Sequence, residues 1–333
     1  MKQAIFETRY AEDWNRFETW LQRREKSSRR KKGKDAEAET ANDTEIPQLY
    51  RRVCQHLALA RDRHYSPDLV DRLNRLALRG HHVLYGVQPR SLGVIDFLTR
   101  GFPRLIRAER KVVIAACLLF FGPLAGIVAV LQWHPEFIYY LADPAQLREY
   151  QSMYDPEAQK EEIRGADSNV QMFGLYIWNN IRIGFQTFAT GLFFGVGSLL
   201  VLLFNAVMIG AVAGYLHSIG YGSTFWPFVS GHSAFELTAI AISAAAGFKL
   251  GGALIAPGAL TRKMALVMAS QTAVRLMYGA ALMLLGAAFI EAFWSPHHGI
   301  PSWIKYSVGI GFWVLLALYF FFAGRKEASE HGT

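Results

Sequence analysis

Residues 231–241 read GHSAFELTAIA. They open an apolar run in which Val229 to Phe248 carries only two strongly polar side chains, His232 and Glu236. The spacing i,i+4 puts both on one face of a helix. A charge facing lipid costs at least ~2.5 kcal/mol on insertion scales, so both are expected to point into a bundle of helices. That reading makes the chain a polytopic membrane protein, and the rest of the sequence follows from it.

Hydrophobic residues make up 52% of the 333 and charged residues 19%, a mean over two unlike parts. Residues 1–111 hold 24 Lys+Arg against 15 Asp+Glu, whereas residues 112–333 hold 11 against 12. The basic part is N-terminal and the apolar part is the remainder. Two cysteines, Cys54 and Cys117, fall one in each part and imply no disulfide framework. The polar first 35 residues do not read as a secretory signal, and lipidation motifs are absent.

In the basic part, Phe6, Tyr10, Trp14, Phe17 and Leu21 recur at helical steps, which predicts an amphipathic helix over 1–26. Residues 27–45 are charged and poor in large apolar groups, and read as a linker. Leu49, Val53, Leu57 and Ala60 mark a second helix, and Leu69, Leu73, Leu76 and Leu84 a third behind Ser66 and Pro67. Together with an interfacial segment they form a helical domain, expected in the cytoplasm, over 46–111. Around FLTRGFPRLIRAERK, apolar and basic positions alternate, as in a helix lying in the headgroup layer. Arg29, Arg30, Lys31, Lys32, Arg104, Arg107, Arg110 and Lys111 are the candidate contacts to anionic headgroups, each worth about 1 kcal/mol near the surface. Nucleic acid is not expected as a partner, because the membrane part would have to tether it.

The membrane part is expected over 112–323, with a tail at 324–333. Its first span covers Val112 to Trp133. The loop 134–168 carries eight acidic and three basic side chains and contains helical spacing in EFIYYLADPAQLREYQSMY. Basic before and acidic after places the N-terminus in the cytoplasm, the loop outside, and the C-terminus inside. The apolar stretch Ile183 to Leu216 is too long for one span, and Asn205 and Gly210 are expected to break it into a full descent and a short return. Further spans follow to Phe248, from Met264 to Ala288, and from Trp303 to Ala323. The fold class is therefore all-α: a polytopic bundle of about six spans, one short or broken.

Arg275 lies near the middle of the antiparallel fifth span, and counting from the outer ends places it level with Glu236. A Glu236–Arg275 pair is expected, with Asn205, Gln271 and Asn180 near enough to complete its hydrogen bonds. Gly122–Gly126, Gly191–Gly195, Gly210–Gly214 and Gly247–Gly251 are each four apart. Such spacing serves close helix packing within the chain or a homodimer face. His134, His217, His232, His297 and His298 fall on or near the outer side. With Glu236 they could gather as a metal cluster, but no two of them have the HExxH spacing, HSAFE supplies one histidine and one carboxylate only, and no nucleophile elbow surrounds Ser233, so neither a metal nor a cofactor nor catalysis is expected.

At FPRLIRAERK (102–111), GVGSLLVLLFNAVMIGAVAGYL (195–216), GHSAFELTAIAISAAAGFKLG (231–251) and APGALTR (256–262), the chain resembles the stage II sporulation protein M family of integral membrane proteins. The resemblance covers most of the chain, with 27–45 as an insertion. It implies a multi-pass protein of the bacterial inner membrane, without enzymatic activity, that recruits partners in cell-envelope remodelling. Partners implied by the resemblance are an AAA-type ATPase and other small membrane proteins. A family names a fold more securely than an activity, and three functions remain open: partner-recruiting scaffold, small transporter or lipid-handling protein, and outer-face metallohydrolase.

Overall fold

A computed structural model describes residues 2–30, 45–84, 93–157, 166–297 and 299–325. Every regular element among them is helical. The chain divides into two compact units, Met1–Ser91 and Leu92–Thr333. The division falls before the interfacial segment, which belongs to the membrane unit rather than to the helical domain expected over 46–111.

The N-terminal unit is built from α1 (Gln3–Arg30), α2 (Ile46–Asp62) and α3 (Pro67–Leu84). The predicted stripes meet in one core. Phe6, Trp14, Phe17 and Leu21 of α1 pack with Leu49, Val53 and Ala60 of α2 and with Leu73 and Leu76 of α3. Trp14 cannot bury its indole N–H unpaired. It donates to His56 Nδ1 at 3.1 Å. Helix α1 runs to Arg30, four residues past the expected end. Lys31 and Lys32 lie outside the described residues, as do the side chains of Arg29 and Arg30.

The membrane unit begins with α4 (Val94–Asp96), a π-helical turn at Phe97–Gly101 and α5 (Phe102–Ala108). Phe102 is buried against Gly279, where a side-chain carbon would collide with the ring. The long helices that follow are α6 (Arg110–Trp133), α9 (Ala166–Ala189), α10 (Val196–Ser218), α11 (Gly222–Ile255), α12 (Arg262–Phe293) and α13 (Ser302–Phe322). Five of these, all but α9, are long and apolar enough to cross a membrane. Helix α9 includes Asn179, Asn180 and Arg182, which lower its hydropathy, yet it packs along α11 and α12. Between α6 and α9, α7 (Ile138–Leu141) and α8 (Pro144–Tyr154) lie on the bundle. Asp143 and Gln146 close a capping box at the start of α8. Gln151 Nε2 donates to the Tyr215 hydroxyl at 2.7 Å, and the Thr224 hydroxyl to the Tyr154 carbonyl at 2.6 Å.

The break expected at Asn205–Gly210 is not there. Helix α10 is continuous across both residues. Asn205 Nδ2 donates to the Val201 carbonyl one turn back at 2.8 Å, so its polar group is satisfied without interrupting the helix. The chain reverses instead at 190–195, where Phe194 and Gly195 take φ of 53° and 80°. Glycine enters that left-handed region without strain. The result is two long helices in place of one descent and a short return.

Neighbouring helices run close where glycines permit. A side-chain carbon on Gly191 or Gly251 would strike the backbone of Gly247 or Gly195 respectively, and one on Gly210 would meet the Leu124 carbonyl at 2.6 Å. Gly214 sits against Val128 and Leu131. Six of the eight glycines in the four pairs, Gly191, Gly195, Gly210, Gly214, Gly247 and Gly251, therefore serve packing within the chain. A side-chain carbon on Gly122 or Gly126 would meet no other part of the bundle within 4 Å among the described residues. At one end of the bundle, Lys249 Nζ pairs with Glu109 Oε1 at 3.0 Å, tying α11 to the start of α6.

A candidate intramembrane His–Glu–Glu site beside a cavity

Helix α11 brings His232 and Glu236 to the same face, as their spacing requires. Their side chains retain 5% and 17% of their accessibility, so both point inward. His232 Nε2 lies 3.7 Å from Glu236 Oε2, and Nδ1 is 3.2 Å from the Ser295 hydroxyl. The third member is Glu291, from the last turn of α12. One ligand-type atom from each of His232, Glu236 and Glu291 lies within 4.8 Å of the others. Asn180 of α9 faces Glu291 and is 2% exposed. Its Nδ2 and the Glu291 Oε2 are buried without a hydrogen-bond partner among the described residues.

A buried cation sits at the edge of the cluster. Lys305 of α13 donates from Nζ to the Ser295 carbonyl at 2.7 Å. Ser295 thus links Lys305, through its backbone, to His232, through its hydroxyl. No ion pair joins Lys305 to either glutamate among the described residues.

His232, Glu236 and Glu291 line a cavity of about 680 Å³. Its walls come from α6 (Leu124, Val128), α10 (Met208, Ile209, Val212), α11, and α13 (Tyr306, Gly309, Ile310, Trp313), with Tyr150 and Tyr154 of α8 at one side. The surface is mainly aliphatic and aromatic, and the carboxylates and imidazole are gathered on one wall. That composition, apolar with a few convergent polar groups, is characteristic of small-molecule sites, which span roughly 300–1,000 Å³.

The expected Glu236–Arg275 pair does not form. Arg275 is exposed on the outside of α12, and no ion pair between the two exists among the described residues. Gly231 sits against Ile290 and Trp294, so Glu236 is level with Glu291. Arg275 precedes Glu291 by 16 residues, about 24 Å along the helix. Counting from outer ends failed because the first turns of α11 extend past the end of α12. Gln271 is also exposed, and Asn205 is half-buried with its amide committed to its own helix. Of the six residues expected in the polar cluster, the structure brings together His232, Glu236 and Asn180.

Glu291 was missed because it follows the apolar run of α12 and reads as part of an outer cap. Its helical position held a signal: it lies seven residues after Leu284 and four after Ala287, both fully buried. Lys305 gave no comparable signal.

The other candidates are dispersed. His134 pairs with Glu136 at 3.1 Å on the surface, and His217 accepts from the Trp226 indole at 3.2 Å. His297 is exposed, and His298 lies outside the described residues. Among the described residues, Ser233 donates to the Ser230 carbonyl of its own helix. Two of the basic residues assigned to headgroups have protein partners. Arg107 donates to the carbonyls of Phe320 and Ala323 at 2.7 Å each, and Arg104 to that of Gly324. They satisfy the orphan carbonyls at the end of α13. Arg110 and Lys111 are exposed.

These features define a polytopic α-helical membrane protein with a separate N-terminal helical unit. The family described as Stage II sporulation protein M matches residues 115–296, more than half of the chain, and the protein belongs to that family. The matched segment contains Asn180, His232, Glu236 and Glu291. A second match, to a domain of unknown function (DUF8413), covers residues 4–86 and coincides with the N-terminal unit. No curated protein and no solved structure matches the chain.

Proposed function

We propose that the membrane unit takes a lipid-like amphiphile into the cavity between α6, α10, α11 and α13, and that the protein acts without catalysing a reaction on it. The cavity carries this reading. Its apolar walls suit an acyl or isoprenoid chain, and its one polar wall suits a headgroup. The surrounding bilayer is the source of such molecules. Filling the cavity by Ile310→Trp or Val212→Trp should lower the amount of a specific lipid that copurifies with the full-length protein, measured by extraction and mass spectrometry. An unchanged lipid profile in both folded variants would reject the reading.

A second function rests on the N-terminal unit. It has a core of its own, and it belongs to the part of the chain rich in arginine and lysine. We infer that it recruits protein partners in a scaffold for cell-envelope remodelling at the bacterial inner membrane, with both chain ends in the cytoplasm. An AAA-type ATPase is the partner class that the family resemblance implies, with anionic headgroups as a second contact, homodimerisation as the assembly and no role for nucleic acid. Affinity capture with the full chain and with a chain lacking residues 1–91 tests it. Identical partners in the two captures would dismiss the scaffold role.

A further inference from the structure

We propose that His232, Glu236 and Glu291 bind one first-row divalent cation of the zinc class at the wall of the cavity. The inference concerns the ion alone and does not depend on what enters the cavity.

The local geometry admits a metal, with one ligand-type atom of each residue within 4.8 Å of the others. Two residues at i,i+4 are one turn apart, the spacing by which a helix presents two ligands to a single ion. The third comes from an antiparallel helix whose register is set where Gly231 meets Ile290 and Trp294. Ser295 engages Nδ1 of His232, which leaves Nε2 turned toward Glu236. A separation of 3.7 Å is too long for a good hydrogen bond. It is close to the roughly 3.3 Å between two ligands held at about 2.0 Å by a tetrahedral ion. The partner that fixes the other imidazole nitrogen is a usual feature of metal-binding histidine.

Charge points the same way. Two ionised carboxylates beside one another repel, so the site must take up either a proton or a cation. No arginine or lysine forms an ion pair with Glu236 or Glu291 among the described residues, and the ammonium of Lys305 is engaged by the Ser295 carbonyl. A divalent cation balances both carboxylates. It would also engage the Glu291 Oε2 that now lacks a partner. One imidazole and two carboxylates are borderline and hard donors, suited to zinc, manganese or ferrous iron. Three protein ligands leave a coordination position that opens on the cavity.

The competing arrangement is a single proton shared between the carboxylates, with no metal. Full-length protein purified in detergent and stripped with a chelator distinguishes the two. Titration with Co²⁺ should give the visible absorption of a bound ion at one per chain, and Zn²⁺ should displace it. Zn²⁺ should also raise the thermal midpoint of the stripped protein. Glu291→Gln and His232→Ala should each weaken binding by at least the roughly 10–100-fold that losing even a supporting partner of a ligand costs. Glu136→Gln, at the exposed His134–Glu136 pair, should leave it unchanged. The proposal is overturned if stripped wild-type protein takes up no ion and gains no thermal stability from Zn²⁺. It is overturned equally if binding persists at full strength in both site variants. Should those variants fail to fold, the wild-type stoichiometry and thermal shift decide alone.

Discussion

Gly191 and Gly247 touch through their backbones: a side-chain carbon on Gly191 would lie on the Gly247 carbonyl. On the other side, a side-chain carbon on Gly247 would collide with the Ser198 hydroxyl. The turn between α9 and α10 is thereby pressed onto α11. Overpacking at such a contact costs about 1–3 kcal/mol. Gly247→Val should therefore lower the thermal midpoint of the protein in detergent. Gly122→Val, where an added side-chain carbon meets no neighbouring helix within 4 Å among the described residues, should leave it near wild type.

His56 supplies a pH dependence in the N-terminal unit. Burial holds its pKa below the ordinary 6.5, with nearby Asp13 acting to raise it and Arg52 to lower it. Its Nδ1 accepts from Trp14, so the neutral ring is the form that fits. Below pH 6.5 the unfolded chain binds a proton that the folded unit resists. Stability is therefore greatest above that pH and falls as the pH drops from 6.5 through the lowered folded value. Hydrogen exchange of α1–α3, corrected for intrinsic rate, should show protection lost at pH 5.5 relative to pH 7.5. His56→Phe should flatten that difference, whatever its effect on overall stability.

Arg107 closes the C-terminal end of α13 with two hydrogen bonds. Its replacement by alanine leaves carbonyls without donors, at about 1–3 kcal/mol for a buried group. Trypsin should then cut after Arg325 faster than in the wild-type protein. Lysine at 107 should restore little, because one ammonium does not reproduce the planar fork of guanidinium.

Arg275 should be dispensable to the polar site. Arg275→Gln is expected to change neither cation uptake nor thermal stability by more than about 0.5 kcal/mol, the range of substitutions that disturb no packed contact. The exchange Glu236→Arg with Arg275→Glu should fail to rescue the single Glu236→Arg variant. Rescue would show that the two residues meet.

Periodicity within one helix is legible in the sequence, whereas the level at which two helices meet is not. The stripe Phe6–Trp14–Phe17–Leu21 became the core of α1, and the motif at 231–241 became an inward-facing helix surface. Both depend on periodicity within one helix, which the bilayer and the apolar core enforce locally. The turn between α9 and α10 was missed because apolar residues continue through it, and Asn205, the polar residue chosen instead, is satisfied within its own helix.

What the amino-acid order by itself determined is the class of molecule: which stretches are helical, which face of each is apolar, and that His232 and Glu236 share a face. Which residues those two meet was decided only by the tertiary structure. Helices can slide past one another by a turn without changing their own hydrogen bonds, so chain position alone does not set the level at which two of them face each other. Gly231 against Ile290 and Trp294 sets that level here. It places Glu236 beside Glu291 and leaves Arg275 on the outer surface of the bundle.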